Sequence, residues 1–384
     1  MVAVSSALII GGGICGLTTA IALSRIGIEV QVFEQAAEVR EVGAGLTLWA
    51  NGLYALEKLG LGNEAIRAGQ TVKTFRFLTM QGKTLGDINI DSLAARMQVP
   101  NVSIHRKELI AVLEKHTSPE SVFLSHELES FTQNGDMVTA RFAGGQEHSG
   151  DILLACDGFH SRVREQMLGS TPAKYAGYTC WRGLAPLEQS DQLDRSVIHT
   201  FGCGAQFGAL DVGNGLIAWY GTGNTPPGIK ESPLERKLDA LKRFAGWHQP
   251  IPEILQRTEA SDYLKNDIYD RQPVRTWAQG RVLLMGDAAH PTTPNLGQGA
   301  CQAIEDAAVL AEHLESAADY TTAFQEYCHR RMERTAEVVL WSRRTGQLSQ
   351  VENPILCGLR DWFTGQSMRL GTVSLVERTI CYKV

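Results

Sequence analysis

The chain has 384 residues, 43% of them hydrophobic and 20% charged, so it is long enough for two domains or one large one, and disorder and fibrous repeats are excluded. Asp and Glu outnumber Lys and Arg by 42 to 36, and the net charge of −6 gives no global attraction to nucleic acid, pointing instead to a small ligand. The eight cysteines are scattered without a Cys-x-x-Cys pair, which argues against a zinc centre or a disulfide framework and for a reducing, cytoplasmic setting.

Residues 1–24 carry no charge, yet no basic segment leads them and Gly11-Gly12-Gly13 interrupts the apolar run. The pattern predicts a strand, a glycine turn and a helix, rather than a signal peptide or a stable membrane insertion. The strand is 7–10. The helix runs to about residue 25, with Leu17, Ala20, Ile21 and Ser24 on one face, and Gly27 ends it. A second strand, 29–33, finishes at Glu34.

Gly11-x-Gly13-x-x-Gly16 between a strand and a helix is a dinucleotide-binding fingerprint. The first glycine permits the turn, the second lets backbone approach a pyrophosphate, and the third lets the helix pack on the strand. The helix N-terminus offers free N–H groups and partial positive charge to phosphates. Glu34, with Gln35 beside it, stands where a carboxylate accepts ribose hydroxyls. The bland alternative is a packing turn with Glu34 as a surface charge.

Two later runs repeat the buried strand ending in an aspartate: 152–156 leads to Asp157-Gly158, and 282–285 to Gly286-Asp287. A helix rich in small residues follows the second over about 299–314. Residues 71–99 and 175–265 read differently, as short alternating runs with turn signals. Strands are expected at 197–201, 206–211 and 216–220, with Gly213-Asn214-Gly215 as a hairpin turn. The last 70 residues begin helical, over about 322–348, and end in an apolar, aromatic tail with Trp362, Phe363 and Tyr382.

Three segments in order, Gly11–Gly16 with Glu34, Asp157-Gly158-x-x-Ser161-x-Val163-Arg164, and Gly286-Asp287-Ala288-Ala289-His290-Pro291, carry a resemblance over nearly the whole chain. They resemble the fingerprints of single-component flavin monooxygenases, the group that includes salicylate, 3-hydroxybenzoate and urate hydroxylases and zeaxanthin epoxidase. The resemblance implies FAD as cofactor, NADH or NADPH as electron donor, and O₂. One oxygen atom would enter a small-molecule substrate through a flavin C4a-hydroperoxide. The implied fold is α/β: a Rossmann-like FAD-binding domain (1–70, 100–174 and 266–345), an inserted, mostly antiparallel substrate-binding sheet (71–99 and 175–265), and a C-terminal helical tail (346–384).

Residue roles follow the same resemblance. Asp287 accepts from ribityl or ribose hydroxyls, and Arg106 reaches the pyrophosphate. Gly297, Gln298 and Gly299 bring backbone N–H groups to the pyrimidine edge of the flavin, where a helix dipole favours negative charge. Asp157 either touches the cofactor or caps the turn after its strand. Arg164 either holds that loop or meets a ligand. His290 lies inside a flavin fingerprint, so a structural role is expected of it.

The substrate pocket is expected between the flavin face and the inserted sheet, with Arg182, Gln206, Phe207, Trp219, Tyr220 and Pro294 as candidates. For each aromatic the alternative is domain core. No nucleophile–base pair or metal-ligand cluster stands out, in keeping with a cofactor that does the chemistry. Residues 197–220 contain no Lys or Arg, whereas a small carboxylate substrate normally meets an arginine fork. The expected substrate is therefore largely neutral, aromatic or hydrophobic, and hydroxylated. Epoxidation of an isoprenoid-like double bond, or oxidation without oxygen insertion, are the alternatives. No nucleic-acid partner is expected, and the chain is expected to be a monomer or homodimer.

Overall fold

The computed structural model describes residues 4–38, 44–191, 193–369 and 374–384. Its central sheet has six strands in the order Ala278–Gln279, Val282–Leu284, Ile152–Ala155, Ser6–Ile10, Glu29–Phe33, Val122–Phe123. All neighbours are parallel except the first pair. Parallel strands are covered on both faces, which is why 152–155 and 282–284 are continuous apolar runs and fully buried. The helices Ile14–Arg25 and Gly299–Ser316 pack against each other beside this sheet. A three-stranded antiparallel sheet, Leu128–Asn134, Met137–Phe142 and Glu147–Gly150, adds Leu128, Phe131, Val138, Ala140 and Phe142 to the same core.

The second large sheet has seven strands, in the order Leu264–Asp270, Lys174–Pro186, Leu216–Asn224, Ala205–Asp211, Ser196–Phe201, Thr74–Thr79, Thr84–Asn89. It is antiparallel except where Ser196–Phe201 runs parallel to Thr74–Thr79, the seam at which the two inserted segments meet. The sheet continues to Asp270, beyond residue 265, because Lys174 and Tyr175 pair with Asp270 and Tyr269.

Strand pleating gives this sheet two distinct faces. Trp181, Phe207 and Trp219 point to the outer face, where they join Phe244, Trp247 and Tyr263 beneath the helices Pro233–Arg243 and Ile251–Arg257. Arg182, His199, Gln206 and Tyr220 alternate with them and take the inner face. Helix Tyr320–Ser349 follows, then Pro354–Arg369 and Ser374–Ile380. No helix among the described residues is long and apolar enough to cross a membrane.

Candidate active site

A cleft of about 800 Å³ opens where the parallel strands end. Gly11, Gly13, Glu34, Gln35, Arg106, Asp157, Asp287 and Gly299 all line it, although they come from six separate stretches of chain. Gly11 has a φ of +105°, and a β-carbon there would stand 2.4 Å from the Cys156 carbonyl oxygen. A β-carbon on Gly16 would stand 1.8 Å from the Gly11 carbonyl oxygen, so this glycine serves the contact between helix and turn rather than the cleft wall. Gly13 differs: a β-carbon there would meet no atom within 4 Å, because its α-carbon faces the open cleft. The following helix begins without a side-chain cap, which leaves its first N–H groups directed at that space.

Glu34 closes the first loop. Its carboxylate accepts from Gly12 N–H at 2.8 Å and Ala36 N–H at 2.9 Å, fixing its oxygens at the cleft edge. Asp157 caps the turn after its strand. One oxygen accepts from the N–H groups of Arg162 and Val163 at 2.8 and 3.2 Å, while the other is buried without a partner. Burial raises its carboxyl above the usual range. Arg164 also lines the cleft and donates to the carbonyls of Ala288 and Ala289 at 2.8 and 3.1 Å, pinning the loop that carries Asp287.

Asp287 faces the cleft. Burial among surrounding protein raises its carboxyl, against the pull of His290 and Arg106. Arg106 is itself depressed by burial, and its Nε is buried with no partner.

Beneath Asp287 lies a buried ionic network that the sequence reading did not find. Asp306 accepts from Gly286 N–H at 2.9 Å, His290 Nε2 at 2.6 Å and Arg331 Nε at 2.7 Å. Burial works to raise the Asp306 carboxyl, but His290 and Arg331 outweigh it and bring it down to about 2. Glu305 accepts from Asn51 Nδ2 at 2.6 Å and is ion-paired with Arg331. Asn51 Nδ2 also reaches Gln298 Oε1 at 2.9 Å. The Gln298 side chain therefore turns into this network, and only its backbone remains for the cleft. The one signal in the sequence was Glu305-Asp306 inside an otherwise apolar stripe.

At the Gly299 end, Gly297 adopts a φ of +60° and the helix Gly299–Ser316 starts with no side-chain cap. The turn Pro294–Leu296, which carries Pro294, meets the inner face of the large sheet. There Asn295 donates to Tyr178 OH at 2.9 Å and lies 3.4 Å from Gln206 Nε2. Next to them His199 Nδ1 and Tyr220 OH are 2.7 Å apart. Burial, with help from Arg360, pulls His199 down to about 4, so it is neutral near pH 7.

Phe75, Phe77 and Phe201 surround the His199 ring, with centroids 4.6–6.0 Å away. Phe207 and Trp219 do not join this group; they stack on the outer face at 5.7 Å, with Trp219 Nε1 bonded to Thr258. Arg182 is on the inner face, within the field of Arg106.

The cleft fits an extended dinucleotide on the observations above: open space at Gly13, uncapped helix N-termini at both ends, and orphaned polar atoms on Arg106 and Asp157. Fold and site together define a flavoprotein of the Rossmann type. A family model described as an FAD binding domain matches residues 4–342, and the chain belongs to the family of FAD-dependent monooxygenases.

Among particular relatives, it is 38% identical over 354 residues to the aurachin C monooxygenase/isomerase of Stigmatella aurantiaca, with 92% of each chain covered. It is 31% identical over 340 residues to the FAD-dependent urate hydroxylase of Klebsiella pneumoniae, with 88% of each covered. The crystal structure of Klebsiella pneumoniae HpxO complexed with FAD and uric acid matches with a TM-score of 0.92 and 28% identity, covering 98% of this chain and 96% of that one.

Proposed function

We propose that the enzyme hydroxylates a largely neutral, aromatic or hydrophobic small molecule, using NADH or NADPH as electron donor and O₂ as oxygen source. The observation that carries the substrate part is the buried group His199–Tyr220 among three phenylalanines on the inner sheet face. A histidine held neutral and a tyrosine whose hydroxyl is raised by burial offer hydrogen bonds without net charge. Two cations of the first inserted segment are engaged elsewhere: Arg76 with Asp87 at 3.0 Å, and Arg96 with Glu377. Arg360 reaches this face from the C-terminal helix but is paired with Asp361 at 2.8 Å. Burying an unpaired carboxylate here would cost several kcal/mol (about 3–5).

The residues divide the work. Glu34 accepts ribose hydroxyls, and the N–H groups at the start of the helix Ile14–Arg25 take the pyrophosphate with Arg106. Asp287 accepts from the ribityl side, and the backbone of 297–299 meets the ring edge. FAD, once bound and reduced, supplies the oxygen-transfer chemistry. Phe75, Phe77 and Phe201 exclude water around the substrate, which strengthens each polar contact. Tyr220 and His199 orient a polar atom on its ring, and Gln206 offers a further hydrogen bond. Arg182 acts on the cofactor side with Arg106. The free cysteines fit a reducing, cytoplasmic location.

Side-by-side turnover tests the reading: neutral bicyclic aromatics should be consumed with tight coupling of reductant to product, and salicylate or a hydroxybenzoate should not. The reverse preference would overturn it.

A further inference from the structure

The helix Pro354–Arg369 presents an anomaly. Ile355, Leu356, Leu359, Trp362 and Phe363 are 75, 52, 48, 56 and 59% exposed. Residues 355, 359, 362 and 363 follow helical spacing, so they form one stripe instead of scattered points. Trp362 and Phe363 stand edge to face with centroids 4.8 Å apart. Large contiguous apolar patches of this kind mark an interaction surface.

The opposite side of the helix is committed to the protein. The Cys357 thiol donates to the Val351 carbonyl at 3.2 Å, the Arg360 guanidinium lies 4.7 Å above the Phe201 ring, and Met368 packs against Gly86. The helix is thus fixed, with its apolar stripe outward and its other side against the inner face of the large sheet.

Charge distinguishes the occupants. Within residues 338–369, Arg343 is paired with Asp270 and Arg360 with Asp361, which leaves Arg344 and Arg369 against one anion, Glu352, a local excess of +1 in a chain of −6. Arg344 and Arg369 are exposed. A symmetric contact between two copies sets the same patch against itself and so brings like charge together. An anionic lipid surface complements it instead. Tryptophan, phenylalanine and leucine on one face with an exposed arginine in register, Arg369, is the pattern of a helix that lies in the headgroup region.

We propose that the helix Pro354–Arg369 docks the enzyme on an anionic lipid bilayer, lying on the surface without spanning it. Ile355, Leu359, Trp362 and Phe363 enter the acyl boundary, and Arg369, on the same helical face, meets lipid phosphates. The inference goes beyond the substrate reading and does not need it.

The test uses the FAD-loaded full chain in flotation with vesicles of mixed phosphatidylcholine and phosphatidylglycerol, against vesicles of phosphatidylcholine alone. The wild type should float with the mixed vesicles, and Trp362→Ser with Phe363→Ser should reduce the bound fraction by about tenfold or more. These side chains are exposed, so flavin content and melting temperature should stay as in the wild type. High salt should weaken binding, since the headgroup contacts are screened. A wild type that stays at the bottom with both vesicle types overturns the proposal, as does a double variant that floats equally well. A concentration-dependent dimer in sedimentation that the double variant splits, with no flotation, assigns the stripe to a second copy and also overturns it. No turnover step enters the assay, so its failure is distinct from failure of the proposed hydroxylation.

Discussion

Gly13 and Gly16 occupy one motif but answer to different constraints, and the structure separates them. A side chain on Gly13 would enter the open cleft, where nothing but cofactor stands to collide with it. Gly13→Val should therefore give folded protein, unchanged in far-ultraviolet circular dichroism, that retains no flavin. Gly16→Val drives its β-carbon into the Gly11 carbonyl and should yield little soluble protein. Equal flavin content in Gly13→Val and wild type would remove this turn from the cofactor site.

Asp287→Ala tests the other end of the cleft. It removes a cleft-facing carboxylate whose burial is unfavourable and which makes no hydrogen bond to the network beneath, so the flavin-free protein should melt no lower than the wild type. Flavin titration should show binding weakened by about 1.5–3 kcal/mol, the worth of a charged hydrogen bond. Retention equal to the wild type would contradict the role given to Asp287.

At the scale of elements, the helix Gly299–Ser316 owes its place to Asp306 and Glu305, which are tied to Arg331 on the helix Tyr320–Ser349. Asp306→Ala removes one of the two carboxylates paired with the buried Arg331, together with the acceptor of His290 and Gly286 N–H, and should cost about 3–5 kcal/mol in denaturant unfolding. It should also release the turn 286–290, so flavin affinity falls with stability.

The pH dependence has a definite sign. Asp306 titrates near 2 against an ordinary 3.8, so its contribution is complete above 3.8 and is lost as pH falls through about 2. His199 is held near 4 against an ordinary 6.5, and the fold favours its neutral form. Its contribution is complete above 6.5 and declines as pH falls toward 4. Thermal melts should show two falling segments on the acid side, and His199→Gln should flatten the upper one. An unchanged upper segment in that variant would exclude His199 as its source.

These elements also show what the sequence could and could not convey. The parallel strands were legible because burial on both faces demands unbroken apolar runs, as at 152–155. The inserted sheet was legible as strands but not as faces. Alternation says that Phe207 and Gln206, or Trp219 and Tyr220, point opposite ways; it does not say which way is toward the cofactor. Alternation alone leaves Phe207 and Trp219 as pocket candidates, yet they stack under the outer helices. The ion network was invisible for a related reason: its members lie at 51, 290, 298, 305, 306 and 331, and only the packing of separate helices makes them neighbours.

At the scale of the whole molecule, the proposed reaction space lies between two sheets. The parallel sheet brings the dinucleotide cradle, and the inner face of the antiparallel sheet brings neutral polar groups among aromatic rings. The turn Pro294–Leu296 joins them through Asn295, bonded to Tyr178 and close to Gln206. Arg360 shows that the C-terminal helix also reaches this space, through its contact with Phe201. No earlier segment of the chain foretold that, because a helix near the end of a sequence carries no local mark of the sheet it will cover.

The central claim is that this space inserts one atom of dioxygen into an organic substrate. The direct measurement is mass spectrometry of product formed by FAD-loaded enzyme with NADH or NADPH under isotopically labelled O₂, across neutral bicyclic aromatic and isoprenoid compounds. The product should be heavier by a single labelled oxygen atom, with the second atom recovered in water. A product oxidised without label, with labelled hydrogen peroxide released instead, would contradict the claim.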